Sequence, residues 1–279
     1  MRDDLAMSDR VIISIDDDGV ADVKLNRADK RNALDNAMFI GLAEAGERLK
    51  NESGVRAVVL SGDGASFCAG LDMGTMQGIG DSKSDAESGQ SREGNPGSMA
   101  DGRITHLGQQ VCWVWQEVPA PVIAAVHGHA LGGGLQIAMG TDIRIVHPET
   151  KLSVREVYWG LVPDVTGTFL LSRLVRPDIA RELTYTARIF SGSEAHELGL
   201  ATRVSTTPHD DAMALAREIA GNSPSAVKGA KSLFNTLDHA GAAEAFANER
   251  RVIGEQIGSA NQVEAVMASF EKRAPVFAD

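Results

Sequence analysis

The spacing of apolar residues divides the chain into short elements. Alternation in VIISID (11–16) and GVADVKL (19–25) predicts a β-hairpin turning at the DDDG stretch. The polar stretch LNRADKRNALD (25–35) leads into a helix predicted from Asp35 to Lys50, where Met38, Leu42, Ala45 and Leu49 recur on one face. VRAVVLSG (55–62) reads as a short buried strand and GASFCAGLDMG (64–74) as a glycine-bearing loop. A helix is predicted over 104–116, a strand at PVIAAVHG (121–128), a helix starting within GGGLQIAMG (132–140), and a strand at TDIRIVHP (141–148). KLSVREVYWGLVPD (151–164) reads as strand and loop. Helices follow around LLSRLV (170–175) and at PDIARELTYT (177–186), where proline stands at a helix start. Ser191 and Glu194 have capping-box spacing, with a strand after them, and the chain from about Pro208 is helical and alanine-rich. Strand, glycine turn and helix thus recur at 55–77 and 121–140, the alternation of an α/β fold.

Residues 74–103 break the pattern. They are rich in glycine and serine and lack apolar periodicity, which predicts a flexible insertion, either a plain surface loop or a lid over a ligand. The rest of the 279 residues can bury a large core without staples. The two cysteines, Cys68 and Cys112, are far apart and suggest neither a disulfide framework nor a metal site. The N-terminus is charged and lacks a signal-peptide apolar core, so a cytoplasmic location is expected. No apolar run approaches the roughly 20 residues of a membrane span. A net charge of −11 argues against nucleic-acid partners, although local helix N-termini could still hold an anion.

Several chemistries lack their motifs. Gly62-x-Gly64 follows a strand, but Phe67 stands where a dinucleotide fingerprint needs glycine. There is no phosphate-binding G-x-x-x-x-G-K-[ST] and no G-x-S-x-G elbow. His127 and His129 could share a strand face, but no third ligand stands at a metal-site spacing. Cys68 beside a glycine turn is read as a small buried residue rather than a thiolate.

The two glycine turns offer a different chemistry. A strand–glycine–helix turn aims backbone N–H groups at one point. Ala69-Gly70-Leu71-Asp72 and Gly132-Gly133-Gly134 could each supply one donor to a single oxygen, an oxyanion hole backed by a helix N-terminus. Glycine also admits a substrate carbonyl without a Cβ clash.

The segments GDGASFCAGLDM (62–73), PVIAAVHGHALGGGLQIAMGTDIRIV (121–146), REVYWGLVPDVTGTFLLSRLV (155–175) and SGSEAHELGLATRV (191–204), in this order, resemble the enoyl-CoA hydratase/isomerase, or crotonase, superfamily. LNRADKRNALD and the late FEKR (270–273) fit as well. The resemblance implies a spiral of repeated ββα units over 1–205, interrupted by 74–103, and a C-terminal helical region over 206–279 used for oligomerisation. It implies a homotrimer or a dimer of trimers. It implies an acyl-CoA substrate with no cofactor beyond the CoA moiety, and stabilisation of a thioester enolate. By position, the oxyanion donors would be the N–H groups of Leu71 and Gly133. Ala33, Leu34, Ala69 and Asp72 would line the CoA site. Arg27, Lys30 and, from a neighbouring subunit, Lys272 would contact phosphate. Asp142 matches a family acid but suits a capping role better.

Three further positions bear on the reaction. Hydratases in the superfamily flank a water with two glutamates, at the places of Gln136 and Glu156. An amide orients water but cannot accept its proton. Asp164, eight residues past Glu156, stands where hydratases carry glycine and dienoyl-CoA isomerases carry an acid; those isomerases also carry an acid in place of Gln136. Simple enoyl-CoA isomerases manage with the acid at Glu156. The Gln–Glu–Asp pattern therefore favours a proton-shifting isomerase, with a base whose pKa is raised by apolar neighbours such as Tyr158, Trp159 and Leu161. From spacing alone, Glu156 and Asp164 could equally be caps near a loop. A hydratase or other lyase with Gln136 as positioner, a thioester hydrolase, and a binding protein without turnover remain alternatives.

Overall fold

The structure is a computed structural model that describes residues 9–74, 96–99, 102–239 and 241–277. The insertion expected at 74–103 lies largely outside them. β1 (Val11–Ile15) and β2 (Val20–Leu25) form the expected antiparallel hairpin. β2 then pairs in parallel with β3 (Ala57–Gly62), which continues through β4 (Val122–Val126) and β6 (Ile143–Val146) to β9 (Arg203–Val204). The main sheet therefore runs β1-β2-β3-β4-β6-β9.

Its central strands are buried on both faces, as continuous apolar runs in parallel sheets should be. Val58 and Leu60 of β3, with Val122, Ala124 and Val126 of β4, face one large core. That core also takes in α1 (Asn36–Asn51) and α2 (Leu107–Glu117). Ala57, Val59, Ile123 and Ala125 point the other way, onto Ala212, Ala216 and Ala220 of α7 (Pro208–Ala220). The four-residue spacing of those alanines gives α7 a flat face that lies close to the sheet. α1 starts where expected because the Asp35 side chain accepts the Met38 N–H at 2.9 Å.

The structure differs from the sequence reading around the second glycine turn. A short strand, β5 (His129–Leu131), stands between β4 and α3 (Gly133–Met139). It pairs in parallel with β7 (Lys151–Ser153), and β7 pairs with β8 (Phe190–Ser191) in a small separate sheet. Three residues carry no readable periodicity, and their partners lie about twenty residues away. With β5 in place, two successive strands in different sheets precede α3, giving the strand–strand–helix order of a ββα unit. Further on come α4 (Gly167–Leu174), α5 (Pro177–Thr186, with its proline in the first turn) and α6 (Gly192–Glu197). The Ser191 hydroxyl accepts the Glu194 N–H at the start of α6. After α7 follow α8 (Pro224–Asp238), α9 (Ala242–Gln256) and α10 (Ala260–Phe270). No helix among the described residues is long and apolar enough to cross a membrane.

Candidate active site

Two chain crossings build one wall of the site from backbone. Leu34 forms an isolated parallel bridge with Leu71: its N–H donates to the Gly70 carbonyl at 2.8 Å and its carbonyl accepts the Asp72 N–H at 3.0 Å. In such a bridge the N–H of the residue between them, Leu71, points the opposite way. It finds no acceptor among the described residues. Cys68 and Ala130 form a second bridge, in which the Cys68 N–H donates to His129 and its carbonyl accepts from Leu131. The second glycine turn is thereby seated against the first. Gly70 (φ 89°) lies so close that a Cβ there would come within 2.6 Å of the Leu131 carbonyl oxygen. Gly132 takes φ 51° and ψ −121°, a conformation essentially restricted to glycine, and its N–H is held by the Ser153 carbonyl at 2.9 Å. α3 starts at the next residue. Its first amide, Gly133 N–H, has no acceptor among the described residues either. The structure thus leaves open the two donors singled out in the sequence and places them on interlocked turns.

The opposite wall is built from side chains. Gln136, fully buried on α3, has both ends of its amide occupied. Its oxygen accepts the Val165 N–H at 3.0 Å and its nitrogen donates to Glu156 Oε1 at 2.5 Å. This orientation is fixed by the partners, since a backbone N–H can only donate. Glu156 opens a short 3-10 turn (Glu156–Trp159) and is buried beside Gly132. Its Oε2 is buried without a hydrogen-bond partner among the described residues. Burial, and after it the charge of Asp164, pushes the Glu156 pKa up to about 7. Burial and then Glu249 push partly exposed Asp164 to about 7 as well. Gln136 and Glu156 therefore meet, Asp164 lies near enough for its charge to act on Glu156, and both carboxyl groups titrate near neutral pH.

The neighbours expected to desolvate Glu156 do so only in part. Tyr158 turns outward: it is 43% exposed, its hydroxyl lies 3.1 Å from Ser269 Oγ on α10, and the Arg155 guanidinium stacks on its ring at 3.7 Å. Trp159 and Leu161 are half-buried. A tyrosine with a polar partner on a later helix turns its hydroxyl end to the surface, and the 3-10 turn alternates faces within four residues. The groups packed on Glu156 are instead the Gly132 turn and Gln136.

Of the other expected residues, Ala33 is buried beside Leu34, with its carbonyl accepting from Arg27 Nη1 at 3.0 Å. Ala69 donates to the Arg31 carbonyl. Asp72 faces Arg27, with Nη1 to Oδ2 at 2.8 Å. Arg27 thus braces the first loop against the first glycine turn, and its guanidinium is engaged rather than open to a phosphate. Lys30 is exposed on a 3-10 turn (Ala28–Lys30), and Lys272 is exposed in a left-handed turn after α10; neither forms an ion pair among the described residues. Asp142 is structural: its Oδ2 accepts from Val122 N–H and from the buried Lys231, each at 2.7 Å. Burial pushes the Cys68 thiol up to about 12, and it donates to the Asn32 carbonyl. His127 and His129 are bonded to the Gly64 carbonyl and the Ser66 hydroxyl.

The sequence reading missed Glu249, a buried carboxylate on α9 that influences Asp164. A signal exists: Phe246, Glu249 and Ile253 share a helical face, so the glutamate stands on an apolar stripe.

The family described as Enoyl-CoA hydratase/isomerase matches residues 16–279. A short-chain-enoyl-CoA hydratase of Clostridium acetobutylicum is 34% identical over 258 residues, spanning 91% of this chain and 92% of that protein. The mitochondrial Delta(3,5)-Delta(2,4)-dienoyl-CoA isomerase of Mus musculus is also 34% identical, over 225 residues, spanning 79% of this chain and 67% of its own. Among solved structures, an enoyl-CoA hydratase/isomerase from Pseudoalteromonas atlantica superposes with a TM-score of 0.82 at 28% identity, covering 96% of this chain and 100% of that one.

Proposed function

The chain belongs to the enoyl-CoA hydratase/isomerase family, and from that premise we propose that it moves a double bond along an unsaturated acyl-CoA rather than adding water across one. The observation that carries this reading is the bonding of Gln136. Its amide is held by Val165 N–H and Glu156 Oε1, and an amide takes up no proton, so the place of a second water-activating carboxylate is filled by a group that cannot act as a base.

The thioester oxygen sits between the N–H groups of Leu71 and Gly133, where charge develops as the enolate forms. Glu156, held through Oε1, presents Oε2 as base to the carbon next to the thioester. The proton leaves as the electron pair moves into the enolate. A carboxyl group, Asp164 or the protonated Glu156, returns a proton further along the conjugated chain as the electrons move back. One proton is taken, one is returned, and the substrate keeps its mass. Ala33, Leu34, Ala69 and Asp72 line the CoA path, with Lys30 and the Lys272 of a neighbouring subunit toward phosphate. The exposed Leu233, Phe234 and Leu237 of α8 suit the subunit contact of a trimer.

A second reading, hydration with Gln136 as a water positioner, is favoured by the equal identity to the relative named a hydratase. Incubating the protein with 3-enoyl-, 3,5-dienoyl- and 2-enoyl-CoA separates the two. Isomerisation changes ultraviolet absorbance at constant mass, whereas hydration adds one water. Fast hydration of a short 2-enoyl-CoA with no double-bond shift overturns the isomerase reading.

A further inference from the structure

Glu249 is a carboxylate only 5% exposed on a core-facing stripe of α9. Four donors converge on it. Gln109 Nε2 and Thr166 N–H reach Oε2 at 3.1 Å each, and Thr168 reaches Oε1 through its N–H at 3.3 Å and its hydroxyl at 2.6 Å. Three of these donors are N–H groups that cannot accept; they favour the ionised carboxylate against burial, which on balance pushes the Glu249 pKa up. Thr166, two residues past Asp164, takes a left-handed φ of 65° and opens α4. The carboxylate therefore caps a helix N-terminus from another helix and ties down a strained turn.

We propose that Glu249 is a positioning residue for the Glu156–Asp164 pair: it anchors the 164–168 turn that carries Asp164 and sets a third carboxylate beside it. This rests on the isomerase reading, in which Asp164 handles a proton. The charges form a ladder. After burial, Glu249 is the charge that raises Asp164, and Asp164 is the charge that raises Glu156. None of the three makes an ion pair among the described residues. The other titratable groups facing them do not cancel the charge. His106 on α2 is pushed down to about 4 by burial and Arg250, so it is neutral. Burial keeps the Cys112 thiol protonated. Arg250 directs Nη1 to Gln109 Oε1 at 2.8 Å and to the Ile104 carbonyl at 2.9 Å, and makes no ion pair with the three carboxylates among the described residues. Burial and the neighbouring carboxylates together raise both members of the pair to about 7, so each can bind or release a proton near neutral pH.

The test uses the full chain carrying Glu249→Gln. The Asp164 carboxyl carbon is followed by carbon-13 NMR titration, assigned with Asp164→Asn, alongside the pH profile of isomerisation. Removing a negative neighbour lowers the pKa of an acid, so Asp164 should titrate about one unit lower and the pH profile should move toward acid by a similar amount. An unmoved Asp164 titration in the folded variant overturns the proposal. A moved titration with an unmoved profile instead overturns the role of Asp164 in the reaction. If Glu249→Gln does not fold, Thr168→Val removes the 2.6 Å donor and keeps the charge. That variant should lose roughly fivefold in kcat with KM and the pH limbs unchanged, as loss of one charge-assisted hydrogen bond implies; an unchanged kcat overturns the anchoring.

Discussion

The two walls of the site are made of different materials. The wall formed by 68–72 and 131–134 is backbone. Its donors are amides that two isolated bridges and a glycine conformation leave over, and no side chain there need take part in chemistry. The wall formed by Gln136, Glu156, Asp164 and Glu249 is side chain, and each member's behaviour depends on what the others do with their protons and charges. An amide donor serves any reaction that passes through an enolate. In the proposed reaction the carboxylates determine which proton moves and whether water takes part.

The comparison can be broken at either wall, and the largest effect belongs to the side chains. Glu156→Gln removes the base and should lower kcat by roughly 10²–10⁴-fold while acyl-CoA binding, measured by calorimetry, stays within about threefold of wild type. A variant that keeps its turnover would show that Glu156 is not the base. Next comes the backbone wall. An alanine at Gly132 would have to adopt φ 51°, and its Cβ would lie 3.0 Å from Glu156 Oε1. The strain is about 1–3 kcal/mol, and re-aiming the Gly133 N–H should cost about 10²-fold in kcat. Because that donor serves the enolate itself, Gly132→Ala should depress double-bond shifting and any residual hydration in equal proportion. A change in their ratio would mean that the backbone wall also selects the reaction. The smallest effect, and the most selective, is Gln136→Glu. Two carboxyl groups at hydrogen-bond distance cannot both ionise, so one would hold a proton while the other activates water. Hydration of 2-enoyl-CoA should rise about tenfold as isomerisation falls. Unchanged hydration would mean that residue 136 does not meet the reacting water.

The regions also differ in how far they could be read from the sequence. The interlocked turns were legible because glycines, flanking apolar strands and a helix start are local constraints; only β5, three residues paired with a distant strand, escaped. On the other wall, the spacing of Gln136, Glu156 and Asp164 was visible, but their protonation was not. Tyr158 and Leu161, expected to desolvate the base, are turned outward or half-buried, while Gly132 and the Gln136 amide lie against Glu156. The ion pair of Arg27 with Asp72, 45 residues away in the chain, was not legible either.

Local sequence was enough for the order of the elements other than β5, for the two glycine turns and for the residue types at 136, 156 and 164, because these follow from short-range sterics and periodicity; the choice of Leu71 and Gly133 as donors came from the family resemblance. Folding was needed to show that Gln136 bonds Val165 and Glu156, that Glu156 Oε2 has no hydrogen-bond partner among the described residues, and that Glu249, 85 residues past Asp164 in the chain, lies close enough to act on its pKa. A pKa is set by burial and by charges a few ångströms away, and in a folded chain those come from segments that sequence distance does not relate.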